Sequence, residues 1–158
     1  ARGEQNAREL GARLRDIVFD VVYSSPMQRA LLTAKLAGFE QPEVTALLKE
    51  FDYGEYEGLT TKQIHVSDPG WELYRDGCPG GETPEQVYQR ATRFIDLVEQ
   101  TSAEKVLAFG HGHILRAVAV AWIRAHITVA TNLQLDVATV NILRDADHGR
   151  VIALWNAM

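Results

Sequence analysis

The chain has 158 residues, 46% of them hydrophobic and 23% charged, which is the balance of an ordinary soluble globular domain with a sizeable core. Its formal net charge of -5 at pH 7, without a dense Lys/Arg stripe, argues against a nucleic-acid partner. No apolar run reaches the length of a membrane span, so a membrane partner is not expected either.

The first half of the chain alternates helical and extended patterns. Residues 2–14 carry apolar side chains at helical spacing and predict an amphipathic helix. The β-branched and aromatic run 19–23 predicts a short buried strand, and residues 43–47 predict a second one. A further helix is predicted between these two strands.

That helix is expected to have Ser25 as its N-cap. A serine followed by Pro26 and, three positions on, by Gln28 has the pattern of a capping box with a proline in the first helical turn. The helix should continue to about Ala37, because Gly38 is a typical residue after a helix C-terminus.

A long, turn-rich excursion occupies residues 50–82, where glycine and proline recur at short intervals. A short helix is predicted to begin at Thr60, with Gln63 completing a capping box. Excursions of this length inside compact domains usually serve function.

The remaining elements continue the alternation of helices and strands. They are a helix from Thr83 to about Gln100, a strand at 105–109, a helix at 112–124 and a hairpin of residues 138–143 and 150–155. Strands that alternate with helices indicate an α/β domain with a largely parallel sheet.

Ligands of open parallel sheets collect at the carboxyl ends of the strands, and two strand ends here are followed by Arg29 and His111. Both basic side chains open a helix, a position that costs stability unless an anion is present. Gly110 and Gly112 leave room for a ligand beside His111. The pattern therefore predicts a phosphate site, against the simpler interpretation of a surface arginine and a histidine that fills a strand–helix junction.

Four acidic residues, Glu50, Asp52, Glu55 and Glu57, crowd the loop after the second strand. An acidic loop of this kind is usually a solvated surface. The alternative is a general acid held near a phosphate, in a loop that folds back onto the site. The sequence pattern does not choose among the four carboxylates.

Other kinds of site have weaker support. His111 and His113 form an H-x-H pair, but no further cluster of His, Cys or carboxylate residues at ligand spacing accompanies it, so no metal is expected. The chain has no nucleophile elbow, Walker loop or dinucleotide fingerprint, and no cofactor is predicted. The single cysteine, Cys78, cannot form an internal disulfide, which favours a reducing, cytoplasmic location.

Four motifs in order resemble those of the histidine phosphatase superfamily, the phosphoglycerate mutase-like group. They are YSSPMQRA at 23–30, LKEFDYGEYEGL at 48–59, PGGET at 79–83 and FGHGHILR at 109–116. The resemblance covers nearly the whole chain and is closest to the branch of sedoheptulose-1,7-bisphosphatase and small bacterial acid phosphatases. It implies a three-layer phosphoglycerate mutase-like sandwich, with a mostly parallel central sheet and helices on both faces.

The resemblance also implies an enzyme, a phosphatase that hydrolyses small phosphomonoesters through a phosphohistidine intermediate and without metal. Sugar phosphates are the first candidate substrates. By their places in the motifs, Arg29 resembles the arginine that clamps phosphate oxygens, and His111 resembles the second histidine, which binds the transferring phosphoryl group. Glu50 resembles the general acid that protonates the leaving alcohol and later activates water.

Substrate contacts are implied at further positions. Ser25, Tyr53 and Gly112 are the expected contact residues. The residues expected to select the non-reacting end of the substrate are Trp71, Tyr74 and Arg75. The implied partner is a small phosphorylated metabolite, and a homodimer is a common assembly in the family.

One motif of the family is missing from this sequence. Members open with an apolar strand that ends in Arg-His-Gly, whose histidine is the nucleophile, and the chain contains no Arg-His-Gly. We therefore expect residues 1–158 to be a single histidine phosphatase domain that lacks its N-terminal strand and nucleophile loop and is inactive by itself. The alternatives are a phosphate-ligand-binding domain without turnover and a phosphoglycerate mutase, which the short excursion after Glu50 disfavours.

Overall fold

Three parallel strands form the sheet that positions the site. They are β1 (Val21–Ser24), β2 (Glu43–Val44) and β3 (Val106–Phe109), in the order β2-β1-β3. Ser24 pairs with Val44 on one side and with Phe109 on the other, so the chain leaves β1 and β3 at the same edge of the sheet. The computed structural model with this arrangement describes residues 2–158.

Helices cover both faces of this sheet. The first two, α1 (Arg2–Leu14) and α2 (Gln28–Leu36), contact each other on one face, and α5 (Pro84–Glu99) and α6 (Gly112–Trp122) contact each other on the opposite one. Side chains of the strands alternate between the two cores, as the pleat of a strand requires. Val22 and Leu107 pack with α1 and α2, whereas Tyr23 packs in the larger core with α5 and α6. The predicted α/β class with a parallel sheet and helices is therefore confirmed.

The excursion between β2 and α5 contains two short helices, α3 (Thr61–Ser67) and α4 (Leu73–Asp76). α3 begins as the sequence predicts, since the Thr60 and Gln63 side chains make both bonds of a capping box. α4 is a single turn that the sequence patterns did not indicate. Capping at the start of α5 is confirmed in the same way by Thr83.

The chain ends in a separate antiparallel hairpin of β4 (Val140–Ala146) and β5 (Gly149–Ala157), which confirms the predicted hairpin and lengthens both strands. Within residues 2–158, neither the second edge of β3 nor that of β4 is paired with another strand. Both strands nevertheless border one core, because Leu107 and Val140 pack against the same cluster of buried side chains.

Two sequence predictions about local structure are wrong. The strand expected at 43–47 ends at Val44, because Thr45 starts a 3-10 turn in which its hydroxyl accepts the N–H of Leu47. The capping box expected at Ser25 is absent, and α2 instead has Met27 as its N-cap, without a side-chain cap. The Ser25 N–H donates to Phe109 O at 2.9 Å, so its backbone continues the pairing of β1 with β3. Its hydroxyl lies beside His111 Nε2 and does not cap α2.

None of the helices within residues 2–158 is both long enough and apolar enough to cross a lipid bilayer.

Candidate active site

The N-terminus of α6 is the centre of the candidate site. His111 is the N-cap residue in extended conformation, and its imidazole is 6% exposed. Arg29 Nε donates to His111 Nδ1 at 2.9 Å, and His111 Nε2 lies 2.8 Å from Ser25 Oγ. The parallel pairing of β1 with β3 thus brings His111 to Ser25 and Arg29, which lie more than eighty positions earlier in the sequence.

These contacts determine the tautomer of His111. Arginine Nε is only a donor, so Nδ1 of His111 must be the acceptor, and the ring proton of the neutral imidazole lies on Nε2. Nε2–H then donates to Ser25 Oγ, which also accepts the N–H of Met27 at 3.2 Å. Burial lowers the pKa of His111 below its ordinary value, and the Arg29 charge lowers it further. The neutral form is therefore favoured in this site.

Glu50 lies at the same end of α6. Its carboxylate accepts the N–H of Ile114 at 3.0 Å and the N–H of His113 at 3.2 and 3.3 Å, and it also accepts the N–H of Phe51 at 3.0 Å. The Glu50 side chain is 10% exposed. A buried carboxylate that receives free N–H groups of a helix N-terminus is held in place without a salt bridge to lysine or arginine.

We call Ser25, Arg29, Glu50 and His111 the phosphate cluster. The sheet and the start of α6 bring all four together, as expected from the positions of two of them after strand ends. Of the four acids in the loop, Glu50 is the one whose carboxylate bonds the N-terminus of α6, whereas Asp52 caps the turn at Gly54. Sequence patterns alone left that choice open.

A partly buried ion pair fixes the loop that carries Glu50. Arg90 of α5 makes two bonds of 2.8 Å to the Glu82 carboxylate, and its guanidinium also donates to the carbonyls of Leu47, Lys49 and Glu50. Glu82 in turn accepts the N–H of Asp52 at 2.9 Å. The sequence analysis did not single out Arg90. Its place on the apolar face of α5, with Val87, Ala91 and Phe94 also buried, was the available signal.

Tyr53 and His113 link the phosphate cluster to the excursion. The Tyr53 hydroxyl lies 2.5 Å from His113 Nδ1, and the Tyr74 hydroxyl donates to His113 O at 2.8 Å. Burial raises the pKa of both tyrosines, and the Glu50 carboxylate raises that of Tyr53 further, so both are neutral phenols. Burial also lowers the pKa of His113, although the Glu50 carboxylate at 3.7 Å opposes that effect. His111 and His113 therefore bond different partners, Ser25 and Arg29 in one case and Tyr53 in the other.

A cavity of about 520 Å³ opens beside this link, and we call it the aromatic cavity. The residues of its wall that matter below are Tyr53, Tyr56, Trp71, Tyr74, His113 and Arg116. Trp71 and Tyr74, which the family resemblance indicated for the non-reacting end of the substrate, both line it. Arg75 does not line it, because its guanidinium bonds Asp76 and the carbonyl of Gly70.

Gly112 is the first residue of α6, and a Cβ built there would meet no atom within 4 Å. The backbone beside His111 is thus open to a ligand, as expected from the glycine. Cys78 is buried, and burial raises the pKa of its thiol to about 11, so it stays protonated. No three His, Cys, Asp or Glu residues of the described part of the chain form a group that could hold a metal ion.

Comparison with known proteins gives one consistent family. The model of the histidine phosphatase superfamily (branch 1) matches residues 1–158. An acid phosphatase of Mycobacterium tuberculosis is 41% identical over 143 residues, which cover 89% of this chain and 70% of that protein. Sedoheptulose 1,7-bisphosphatase of Saccharomyces cerevisiae is 29% identical over 126 residues, which cover 64% of this chain and 46% of that protein.

A solved structure has the same fold. The structure of an open reading frame product of Mycobacterium tuberculosis superposes on this chain with a TM-score of 0.92 at 38% sequence identity. The match covers 98% of this chain and 81% of that one. The fold described above is therefore shared over almost the full length of the described residues.

Proposed function

This chain belongs to branch 1 of the histidine phosphatase superfamily, and on that premise we propose that it is a phosphatase of small phosphomonoesters. Sugar phosphates are the substrates we propose first, because one of its relatives is named a sedoheptulose bisphosphatase and another an acid phosphatase. Three of the four residues of the phosphate cluster have the roles that the family resemblance implies, as phosphate clamp, phosphoryl-binding histidine and general acid.

One observation carries the proposal: the N-terminus of α6 holds both His111 and the Glu50 carboxylate. A phosphoryl group beside His111 would take the place of Ser25 Oγ as the acceptor of Nε2–H. It would also contact the Arg29 guanidinium, whose positive charge offsets the negative charge of the phosphate oxygens. The alcohol oxygen of the substrate then points towards Glu50, where proton transfer to a leaving group is possible.

In the first step, a histidine nitrogen attacks phosphorus while the bond from phosphorus to the alcohol oxygen breaks. Protonated Glu50 gives its proton to that oxygen, and the neutral alcohol leaves. In the second step, the Glu50 carboxylate takes a proton from water, whose oxygen attacks phosphorus and displaces the histidine. Inorganic phosphate is released, and Glu50 is protonated again for the next turnover.

We propose that the nucleophilic histidine lies upstream of residue 1. Both ring nitrogens of His111 have partners in the phosphate cluster, and Nδ1 of His113 is bonded to Tyr53. The free edge of β3 supports this proposal, because an added parallel strand there would end beside His111. The same argument predicts that residues 1–158 alone bind phosphate without turning over an ester.

The decisive experiment traps the intermediate in protein isolated from its native cells. The protein is mixed with 4-nitrophenyl phosphate, denatured in alkali, in which phosphohistidine is stable, and digested for peptide mass spectrometry. We expect the phosphoryl group on a histidine upstream of residue 1. A label on His111 or His113 would refute the upstream nucleophile, and hydrolysis that is absent altogether would leave a phosphate-binding domain as the function.

A further inference from the structure

The two carboxylate oxygens of Glu50 have unequal surroundings. Oε1 accepts the N–H groups of Phe51 and Ile114 at 3.0 Å and that of His113 at 3.2 Å. Oε2 shares the His113 N–H at the longer distance of 3.3 Å. A carboxyl oxygen has two lone pairs, so the three donors at Oε1 leave no place for a proton there. When Glu50 is a carboxylic acid, its proton therefore lies on Oε2.

The imidazole of His113 lies beside this oxygen. Its Nδ1 is 3.7 Å from Glu50 Oε2, and no other basic side chain of residues 2–158 is within ion-pair distance of Glu50. In water an imidazole is a stronger base than a carboxylate. An imidazole with a free nitrogen at this place would therefore take the proton of Glu50, and the leaving alcohol would lose its proton donor.

Tyr53 occupies the nitrogen that would accept this proton. Its hydroxyl lies 2.5 Å from His113 Nδ1. Either the hydroxyl donates to Nδ1 or Nδ1–H donates to the hydroxyl, and in both cases the neutral ring has no lone pair at Nδ1 for the Glu50 proton. The contact is fixed from both sides, because the Tyr53 ring stacks on Phe51 and the Tyr74 hydroxyl donates to His113 O at 2.8 Å.

The surroundings of His113 also favour its uncharged form. Burial lowers its pKa and the positive charge of Arg116 lowers it as well, whereas the Glu50 carboxylate opposes both effects. Tyr53 and Tyr74, the tyrosines that face the ring, are neutral because burial raises their pKa. An imidazolium at this place would thus be stabilised by Glu50, and then only after Glu50 has given up its proton.

We propose that Tyr53 and His113 form a positioning pair: the Tyr53 hydroxyl occupies Nδ1 of His113 and so keeps the acid proton on Glu50 Oε2, where the leaving alcohol can take it. This inference rests on the proposed phosphatase function and deepens it by adding a control on its general acid. Tyr53 acts here through His113 and needs no contact with the substrate. Without the hydroxyl, the proton would move from Oε2 to Nδ1, which leaves a carboxylate and an imidazolium.

Two esters with different leaving groups test the pair in the natural protein. The 4-nitrophenol of 4-nitrophenyl phosphate leaves as a stable anion, whereas the alcohol of benzyl phosphate needs a proton as it leaves. Because kcat/KM covers the steps up to release of the alcohol, the kcat/KM for benzyl phosphate divided by that for 4-nitrophenyl phosphate reports the acid. This ratio does not depend on the folded fraction of a variant, since both esters are assayed on the same sample.

Tyr53→Phe should lower this ratio by about 10-fold, and Glu50→Gln, the reference for complete loss of the acid, by about 100-fold. Adding His113→Leu to Tyr53→Phe should restore the ratio, because leucine cannot take the proton. His113→Asn should restore it in the same background for the same reason, with a smaller polar side chain. Tyr88→Phe is the matched control, since the Tyr88 hydroxyl has no hydrogen bond to residues 2–158.

Nitrogen NMR of the labelled imidazoles is an independent readout that a merely structural role would not change. Near neutral pH the His113 ring should be uncharged in the unchanged protein and in Tyr88→Phe, and should carry a second proton in Tyr53→Phe.

The outcomes separate this inference from the function on which it rests. An unchanged ratio or an uncharged His113 in Tyr53→Phe, or a ratio that stays low in both double variants, would overturn the positioning pair and leave the phosphatase proposal intact. An unchanged ratio in Glu50→Gln would overturn the acid role of Glu50 and the pair with it. No hydrolysis of either ester by the unchanged protein would overturn the phosphatase proposal as well.

Discussion

The phosphate cluster and the aromatic cavity meet at Glu50, Tyr53 and His113 but are built in opposite ways. In the phosphate cluster, strand ends and helix starts place Ser25, Arg29 and His111, and the N-terminus of α6 holds Glu50. Both ring nitrogens of His111 and the Glu50 carboxylate are bonded within the protein. In the aromatic cavity, much of the wall comes from the irregular excursion, and Arg116 has no hydrogen-bond or ion-pair partner among residues 2–158. The polar groups of the first region are thus bonded within the protein, whereas the second has an arginine that is not.

This difference separates chemistry from selectivity. Residues fixed by a parallel sheet and a helix start can hold a phosphoryl group in one geometry, which is the requirement of the reacting centre. An excursion can change its aromatic side chains without moving that sheet. Variants in each region, and the pH dependence of stability, test this difference.

The largest effect should come from Arg90→Met, because this residue fixes the loop that carries Glu50. The change leaves the Glu82 carboxylate without its cation and removes a donor from the carbonyls before and at Glu50. Because breaking a buried pair costs about 3–5 kcal/mol and this pair is only partly buried, we expect a loss near the lower end of that range, measured by urea denaturation. The control is Arg75→Met, whose pair with Asp76 is exposed to solvent and should have no measurable effect. Equal losses in the two variants would contradict the role of the Glu82–Arg90 pair.

His111→Ala should act on the phosphate cluster alone. It removes one donor to the developing charge on phosphorus, so kcat for 4-nitrophenyl phosphate should fall by about 10²–10³-fold in the natural protein. His148→Ala, in the exposed turn of the hairpin, is the control and should be fully active. A rate close to normal in His111→Ala would defeat the assignment of the phosphate cluster.

The pH dependence of the unfolding free energy should include one histidine of each region, His111 of the phosphate cluster and His113 of the aromatic cavity. The pKa of His111 and of His113 is below the ordinary 6.5 in the folded protein, mainly because of burial. Just below that value the unfolded chain binds more protons than the folded one, so these residues make stability fall as the pH falls. At most about 1.4 kcal/mol per pH unit comes from each group.

Urea unfolding between about pH 7.5 and about pH 5.5 measures this slope. His113→Gln should make it shallower, because one of the two depressed groups is removed. An unchanged slope would mean that His113 is protonated in the folded protein.

The smallest effect should come from Tyr53→Phe. The ring that stacks on Phe51 is kept, but the hydrogen bond to His113 Nδ1 is lost. We expect about 1 kcal/mol lower unfolding free energy, as for the loss of one hydrogen bond within the protein. Tyr88→Phe, whose hydroxyl has no hydrogen bond to residues 2–158, should be neutral in the same measurement. An unfolding free energy higher for Tyr53→Phe than for the unchanged protein would show that the Tyr53–His113 contact does not stabilise the fold.

Local patterns in the sequence were enough for most of the fold. The helix at 2–14 was predicted from apolar spacing, and the starts of α3 and α5 from capping boxes at Thr60 and Thr83, because these signals involve residues within one or two helical turns. Two strands that end before Arg29 and His111 also placed those residues at one edge of a parallel sheet. The order of four motifs identified the family.

The sequence by itself thus determined the alternation of elements, the fold class, the family and the edge of the sheet where a phosphate site should lie. Tertiary structure alone decided that Ser25 turns to His111 instead of capping α2, and that Glu50 is the acid at α6. It also decided that Arg90 has five hydrogen bonds whereas Arg116 has none to residues 2–158. The physical reason is range: hydrogen bonds such as those from Arg90 to Lys49 and from Arg29 to His111 join residues 41 and 82 positions apart, and no local pattern encodes such pairings.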